Sequence, residues 1–134
     1  MAFTHEHMVF TLMAMYPHLK HWTHYKVAQP CAEGTTDQIG DPWIVEWTAE
    51  DAKPKAEWVL DYFHQHESDI CAEYVRYHRD DRLAWSDRFA YAPPDAPPEV
   101  QAKTALWLEY RKALRDITTQ PGFPLDVTWP ELPT

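Results

Sequence analysis

Prolines set the outer limits on what this chain can fold into. They stand at 17, 30, 42 and 54, in a run from 93 to 98, and four times between 121 and 133. Inside a helix a proline removes a backbone hydrogen bond and collides with the preceding turn, so helices must fit between these positions. Two long intervals are free of it, 55–92 and 99–120, with a shorter one ahead of Pro17. That division predicts a mainly helical α+β fold. An N-terminal helix and a β-hairpin come first, then two long helices joined as a helical hairpin by a Pro-rich linker, and last an extended C-terminal tail.

Local pattern fills in the pieces. Residues 4–16 are apolar on two neighbouring helical stripes, with Thr4 as N-cap and Pro17 as the stop. Residues 18–29 alternate, with Tyr25 and Val27 on one face and Trp22 on the other, and Trp43-Ile44-Val45-Glu46-Trp47 follows after a loop holding Gly34 and Gly40. Two such runs make an antiparallel hairpin with a wide tip, which needs a helix to pack on. From Pro54, in a first helical turn, to about Phe89, the residues Val59, Phe63, His66, Ile70, Tyr74, Tyr77 and Asp81 mark one helical seam, with Ser68-Asp69 as a kink or second cap. The Pro93–Pro98 run is a stiff connector, and Pro98 opens a helix to about Thr118. Residues 1–92 thus carry the first helix, hairpin and long helix, and 93–134 the linker, last helix and tail, within one compact domain.

Charge and residue types narrow the function classes. Twelve Lys and Arg stand against 21 carboxylates, a formal charge of −9, which argues against nucleic acid or an anionic membrane as partner. Three glycines leave little for loops that cradle phosphates. The apolar stretch Met8–Tyr16 is too short to span a bilayer, and no basic start marks a signal peptide. Cys31 and Cys71 stand far apart with no thiolate partner at ligand spacing, so free thiols in a reducing compartment are expected. Histidine is the one candidate metal ligand, but His5/His7 and His64/His66 point to opposite sides of a regular helix and cannot share an ion. Ser68 and Ser86, the only serines, lie in no nucleophile turn. The reading is no catalytic residue, no metal and no cofactor. A small His-dependent metallohydrolase is the contrary hypothesis.

Aromatic excess is what remains. Trp and Tyr dominate binding hot spots because each buries a large area at low entropic cost. Trp107, Tyr110, Leu114 and Ile117 form one stripe of the last helix, either packed on the long helix or part of a partner-binding seam. Phe123, Leu125, Val127 and Trp129 alternate along the tail as on an extended strand with one apolar edge, followed by Pro130. That edge either folds back on its own domain or lies on another protein.

The order of residues in this C-terminal stretch carries a resemblance. Trp107-Leu108-Glu109-Tyr110-Arg111-Lys112-Ala113-Leu114-Arg115-Asp116-Ile117 leads through Gln120-Pro121-Gly122-Phe123-Pro124 to Trp129-Pro130-Glu131-Leu132-Pro133. It resembles the C-terminal signature of bacteriophage tail and tail-fibre assembly chaperones, where a W-x-x-Y-R-x-x-L-R-D-I helix runs into a Pro-rich W-P-x-x-P tail. The resemblance implies a non-enzymatic accessory protein of the host cytoplasm. Such a protein holds a fibre or other tail structural subunit soluble until it trimerises or attaches, with retention in the virion tail as a further outcome. A baseplate or fibre component, or a chaperone of the tape-measure protein, is the alternative within the same setting.

Overall fold

Thr4 starts the first helix, α1 (His5–Met15), in the computed structural model that describes residues 3–134. Its hydroxyl accepts from the His7 N–H at 3.1 Å while His7 Nδ1 accepts from the Thr4 N–H at 3.1 Å, a reciprocal pair that satisfies two otherwise orphaned donors. Met8, Val9, Phe10, Thr11 and Leu12 are all buried, so this helix lies inside its unit rather than on its surface. It packs against strand β1 (Tyr25–Ala28) and helix α2 (Ala56–Gln65).

β1 pairs antiparallel with β2 (Trp43–Trp47). The register sets Tyr25 against Trp47 and Lys26 against Glu46, then Val27 against Ile44, so Val45 is an extra residue bulged out of β2. The inner face, Tyr25, Val27 and Ile44, joins Phe3, Val59, Phe63 and Ile70 in one core. A two-stranded ribbon is marginal alone, and this one is held by the helices beneath it.

The long helix differs in two details from the sequence-based expectation, which places a kink or second cap at Ser68-Asp69. Pro54 precedes the N-cap Lys55 instead of entering the first turn. The helix also breaks at His66, whose N–H bonds back to Tyr62 and Phe63 carbonyls, before α3 (Glu67–Ser86) resumes. The break resets the helical phase. Val59, Phe63 and Ile70 are buried as the seam requires, but Tyr77 and Asp81 are exposed, and Cys71, Ala72 and Val75 take the inward positions.

Two compact units result, one ending at Tyr74 and the other Val75–Thr134, so the division falls within α3 and not at the proline run. The proline run is internal to the second unit, because Phe89 ahead of it stacks on Trp107 beyond it at 4.2 Å between ring centroids. Gln101 fastens that loop, donating to the Pro94 and Ala96 carbonyls at 3.1 and 2.9 Å. Helix α4 (Pro98–Arg115) has Pro98 in its first turn with Glu99, and Lys112 and Arg115 in its last, all in line with the helix dipole. A 3-10 turn, Asp116–Thr119, closes it.

Two buried polar atoms of the first unit, Tyr25 Oη and His21 Nε2, find no hydrogen-bond partner among the described residues. Burial pushes the Tyr25 phenol up to about 12. Burial, with His5 nearby, holds the His21 imidazole below its ordinary value, against a smaller opposing pull from Glu6. Stability is therefore expected to fall at both ends of the pH range. In acid the unfolded chain takes up a proton at His21 that the folded chain resists, so stability is lost as pH falls below ~6.5. In alkali the unfolded Tyr25 ionises from ~10 while the folded one stays neutral, so about 1.4 kcal/mol per pH unit is lost until the folded group ionises too. Urea midpoints across pH 5 to 11 test both limbs. Tyr25→Phe should flatten the alkaline limb, and an unchanged limb would refute the assignment.

Candidate partner-binding surface

The second unit is organised around α4. Trp107, Tyr110, Leu114 and Ile117, the stripe picked out by spacing, are 7, 6, 0 and 0 % exposed. Trp107 lies nearly parallel to Phe89, with 17° between the rings, meets Tyr110 edge-on at 88°, and has Trp85 at 5.8 Å. Leu83, Phe89 and Trp129 complete this cluster.

Arg111 secures the arrangement from the side. Its Nη1 donates to the Leu83 carbonyl at 2.6 Å and to Ser86 Oγ at 2.7 Å, and lies 2.8 Å from Asp87 Oδ1. Carbonyls in the last turn of a helix lack an intrahelical partner and carry the negative end of its dipole, so a guanidinium there caps α3. Ser86 is fully buried and also donates to Leu83 at 3.0 Å.

The tail folds back within this unit. Residues 121–125 form a turn, not a strand, with the Asp126 N–H bonded to the Gly122 carbonyl at 2.8 Å and a cis Phe123–Pro124 peptide. A Cβ at Gly122 would collide with the Asp126 carbonyl oxygen, which is why a residue without one stands in the Gln-Pro-Gly-Phe-Pro segment. Beyond the turn, the Gln120 side-chain amide both donates to and accepts from Thr128, each at 2.8 Å. Two arginines of α3 cover the tail's aromatics: Arg82 lies 3.8 Å from the Trp129 ring centre and Arg76 5.6 Å from that of Phe123.

These contacts sort the sequence-picked residues. Leu114 and Ile117 are interior, and Trp107 and Tyr110 nearly so. Phe123, Val127, Trp129 and Pro130 are half-buried, and Leu125 is exposed. Trp129, Pro130 and Tyr110 wall a groove of about 440 Å³ together with Arg82, Trp85 and Leu132. A second hollow of about 500 Å³ lies between Phe89, Tyr91, Val100, Lys103 and Trp107. Arg82, Trp85 and Phe89 were not among the sequence-picked residues, although their three-and-four spacing is helical. The expected seam ran through Tyr77 and Asp81 instead, past a break the sequence marks with neither Pro nor Gly.

Among the histidines, His5 Nε2 meets the Val27 carbonyl, His18 meets Asp51, and His24 Nδ1 accepts from the Lys20 N–H, whereas His21 Nε2 has no partner among the described residues. Among the described residues no group of three His, Cys, Asp or Glu could hold a metal ion, and no helix is long and apolar enough to cross a membrane. Cys31 is exposed and Cys71 buried, both free.

Residues 72–134 match the family described as phage tail assembly chaperone protein, and residues 8–69 match the XkdW protein family. The two matched stretches meet between residues 69 and 72, just ahead of the division between the compact units after Tyr74. No curated protein and no solved structure matches the chain.

Proposed function

We propose, for a chain whose residues 72–134 belong to the phage tail assembly chaperone family, that it binds a tail-fibre or other tail structural protein and holds it soluble in the host cytoplasm until it assembles. It acts as a binding protein and not as an enzyme. The observation that carries this reading is the groove beside Trp129, a concavity lined by the apolar groups of Trp85, Tyr110 and Pro130 and by the charged Asp81 and Arg82. A structural subunit in transit exposes apolar side chains and strand edges that its assembled form covers. Such a groove shields them while leaving release possible, since the site is open and only partly apolar. Trimerisation of the bound subunit and retention in the virion tail are further steps that this reading accommodates.

Roles follow from position. Trp129 and Pro130 contact the partner in the groove, and Leu125 extends the contact outside it. Phe123 and Val127 hold the tail's path, and Trp107, Tyr110, Leu114 and Ile117 hold the wall in place. Trp85, 45 % exposed, and Leu132, 55 % exposed, are the positions that test the groove without emptying the core. Trp85→Ala is expected to weaken partner binding by about 2 kcal/mol, roughly thirtyfold. Leu132→Asp places a charge where an apolar group would be covered and should act in the same direction. Co-expression with a tail-fibre protein of the same phage, followed by size exclusion and mass measurement, provides the assay. Soluble, assembled partner at normal yield with both variants would rule the groove out as the chaperoning surface.

A further inference from the structure

We propose that the outer face of β2, centred on Trp43 and Val45, is a second docking site, and that it takes an arginine- or lysine-bearing apolar segment of another protein. The site lies in the first unit, so it stands or falls apart from the groove of the second.

The first observation is an unpartnered tryptophan. Of the seven tryptophans, six meet a ring or a cation of this chain. Trp22 meets His21, and Trp47 meets Tyr16 and Tyr25. Trp58 lies under Lys55, Trp85 and Trp107 share one stack, and Trp129 lies under Arg82. Trp43 meets neither among the described residues, although it is 46 % exposed. Beside it the bulge turns Val45 out to 57 % exposure. Exposed apolar groups on a short strand that, among the described residues, no third strand flanks invite a partner.

The second observation selects the partner's chemistry. From Val27 to Ala52 the chain carries six carboxylates and not one Lys, Arg or His. Asp41 stands just ahead of β2 and Glu50 just after it, both exposed. Lys26, opposite Glu46 on the neighbouring strand, is paired with it at 3.1 Å. An aromatic face in a field of carboxylates suits a guanidinium, which stacks on the ring and pairs with carboxylates at its edge. The second unit uses the same contact at the edge of its own core cluster, with Arg82 on Trp129.

The same charge disfavours the other occupants. Two copies of this face would oppose Asp41, Glu46 and Glu50 of one to the same carboxylates of the other, and phosphate-bearing surfaces are repelled outright. All six arginines lie in the second unit, and five of them, Arg76, Arg79, Arg82, Arg88 and Arg111, already have partners there. A second copy is therefore a poor source of the cation.

The test uses the full chain and three synthetic octapeptides: alternating Arg-Val, alternating Glu-Val, and alternating Arg-Ser. Titration calorimetry at physiological salt gives affinity, and amide chemical-shift mapping gives location. The Arg-Val peptide is expected to bind with shifts at residues 41–47, and both other peptides about tenfold or more weaker. Trp43→Ala should lower Arg-Val affinity about tenfold, as should Asp41→Asn with Glu46→Gln, while Trp58→Ala leaves it unchanged. Both Trp43 and Asp41 are exposed, so circular dichroism of these variants should match the parent. Equal affinity for Arg-Ser would mean that net charge alone attracts the peptide. That result, shifts confined to the second unit, absent Arg-Val binding, or a dimer abolished by Trp43→Ala would each overturn the proposal.

Discussion

Trp107→Ala is expected to destabilise the protein by about 3–5 kcal/mol, the range for removing a large buried aromatic. The ring is 7 % exposed and sandwiched between Phe89, at 4.2 Å, and the edge of Tyr110, at 5.6 Å. Deleting it removes transfer energy, leaves a cavity, and breaks three aromatic contacts together, to Trp85, Phe89 and Tyr110. Trp107→Phe keeps a flat ring against Phe89 and should cost roughly 1–2 kcal/mol, the cost of an imperfect hydrophobic swap. Urea unfolding followed by circular dichroism measures both, since tryptophan fluorescence would change with the substitution itself. A loss below about 1 kcal/mol for alanine, the size of an ordinary substitution, would mean that this cluster is not a core. Partner binding should fall with Trp107→Ala as well, because Trp85 of the groove leans on the same ring.

Where the determinant of structure is local, the sequence reveals it. Thr4 and His7 are three residues apart and make their cap by themselves, so the start of α1 is readable. The alternation of Tyr25 and Val27 names the inner face of the hairpin, but the bulge at Val45 depends on how β2 meets the core and leaves no local mark. The break at His66 lies just ahead of Ser68-Asp69, where the sequence offers a kink or second cap, while nothing in Gln65-His66-Glu67 itself forbids helix. The family-like stripe Trp107, Tyr110, Leu114 and Ile117 is legible as a stripe and silent about what covers it. The tail shows the limit most plainly. Phe123, Leu125, Val127 and Trp129 alternate as on a strand, yet Gly122 lets the chain close a turn onto Asp126. Leu125 then faces solvent while the other three are half-buried. One residue without a side chain outweighs an apolar pattern of four.

Arg111→Met is expected to cost about 2–4 kcal/mol, more than an ion pair on a protein surface would suggest. Asp87 is the partner that looks electrostatic, but its side chain is 68 % exposed, and a pair open to water contributes little. The larger part comes from the other two acceptors. Hydrogen bonds from a charged donor to the Leu83 carbonyl and to buried Ser86 Oγ contribute about 1.5–3 kcal/mol each before compensation, and their loss leaves a helix C-terminus without its cap. Methionine keeps the aliphatic packing, so the deficit isolates the guanidinium. Arg111→Lys restores a point charge without the planar fork, and should recover only part of the loss. Asp87→Asn, which spares both other bonds, should cost less than about 0.5 kcal/mol. The ranking separates two explanations of why an arginine follows the tyrosine in the Trp107–Ile117 motif. If Asp87→Asn proves as damaging as Arg111→Met, the residue serves an ion pair. If it is nearly silent, Arg111 caps α3 and thereby fixes the end of the helix that carries Arg82 and Trp85 to the groove.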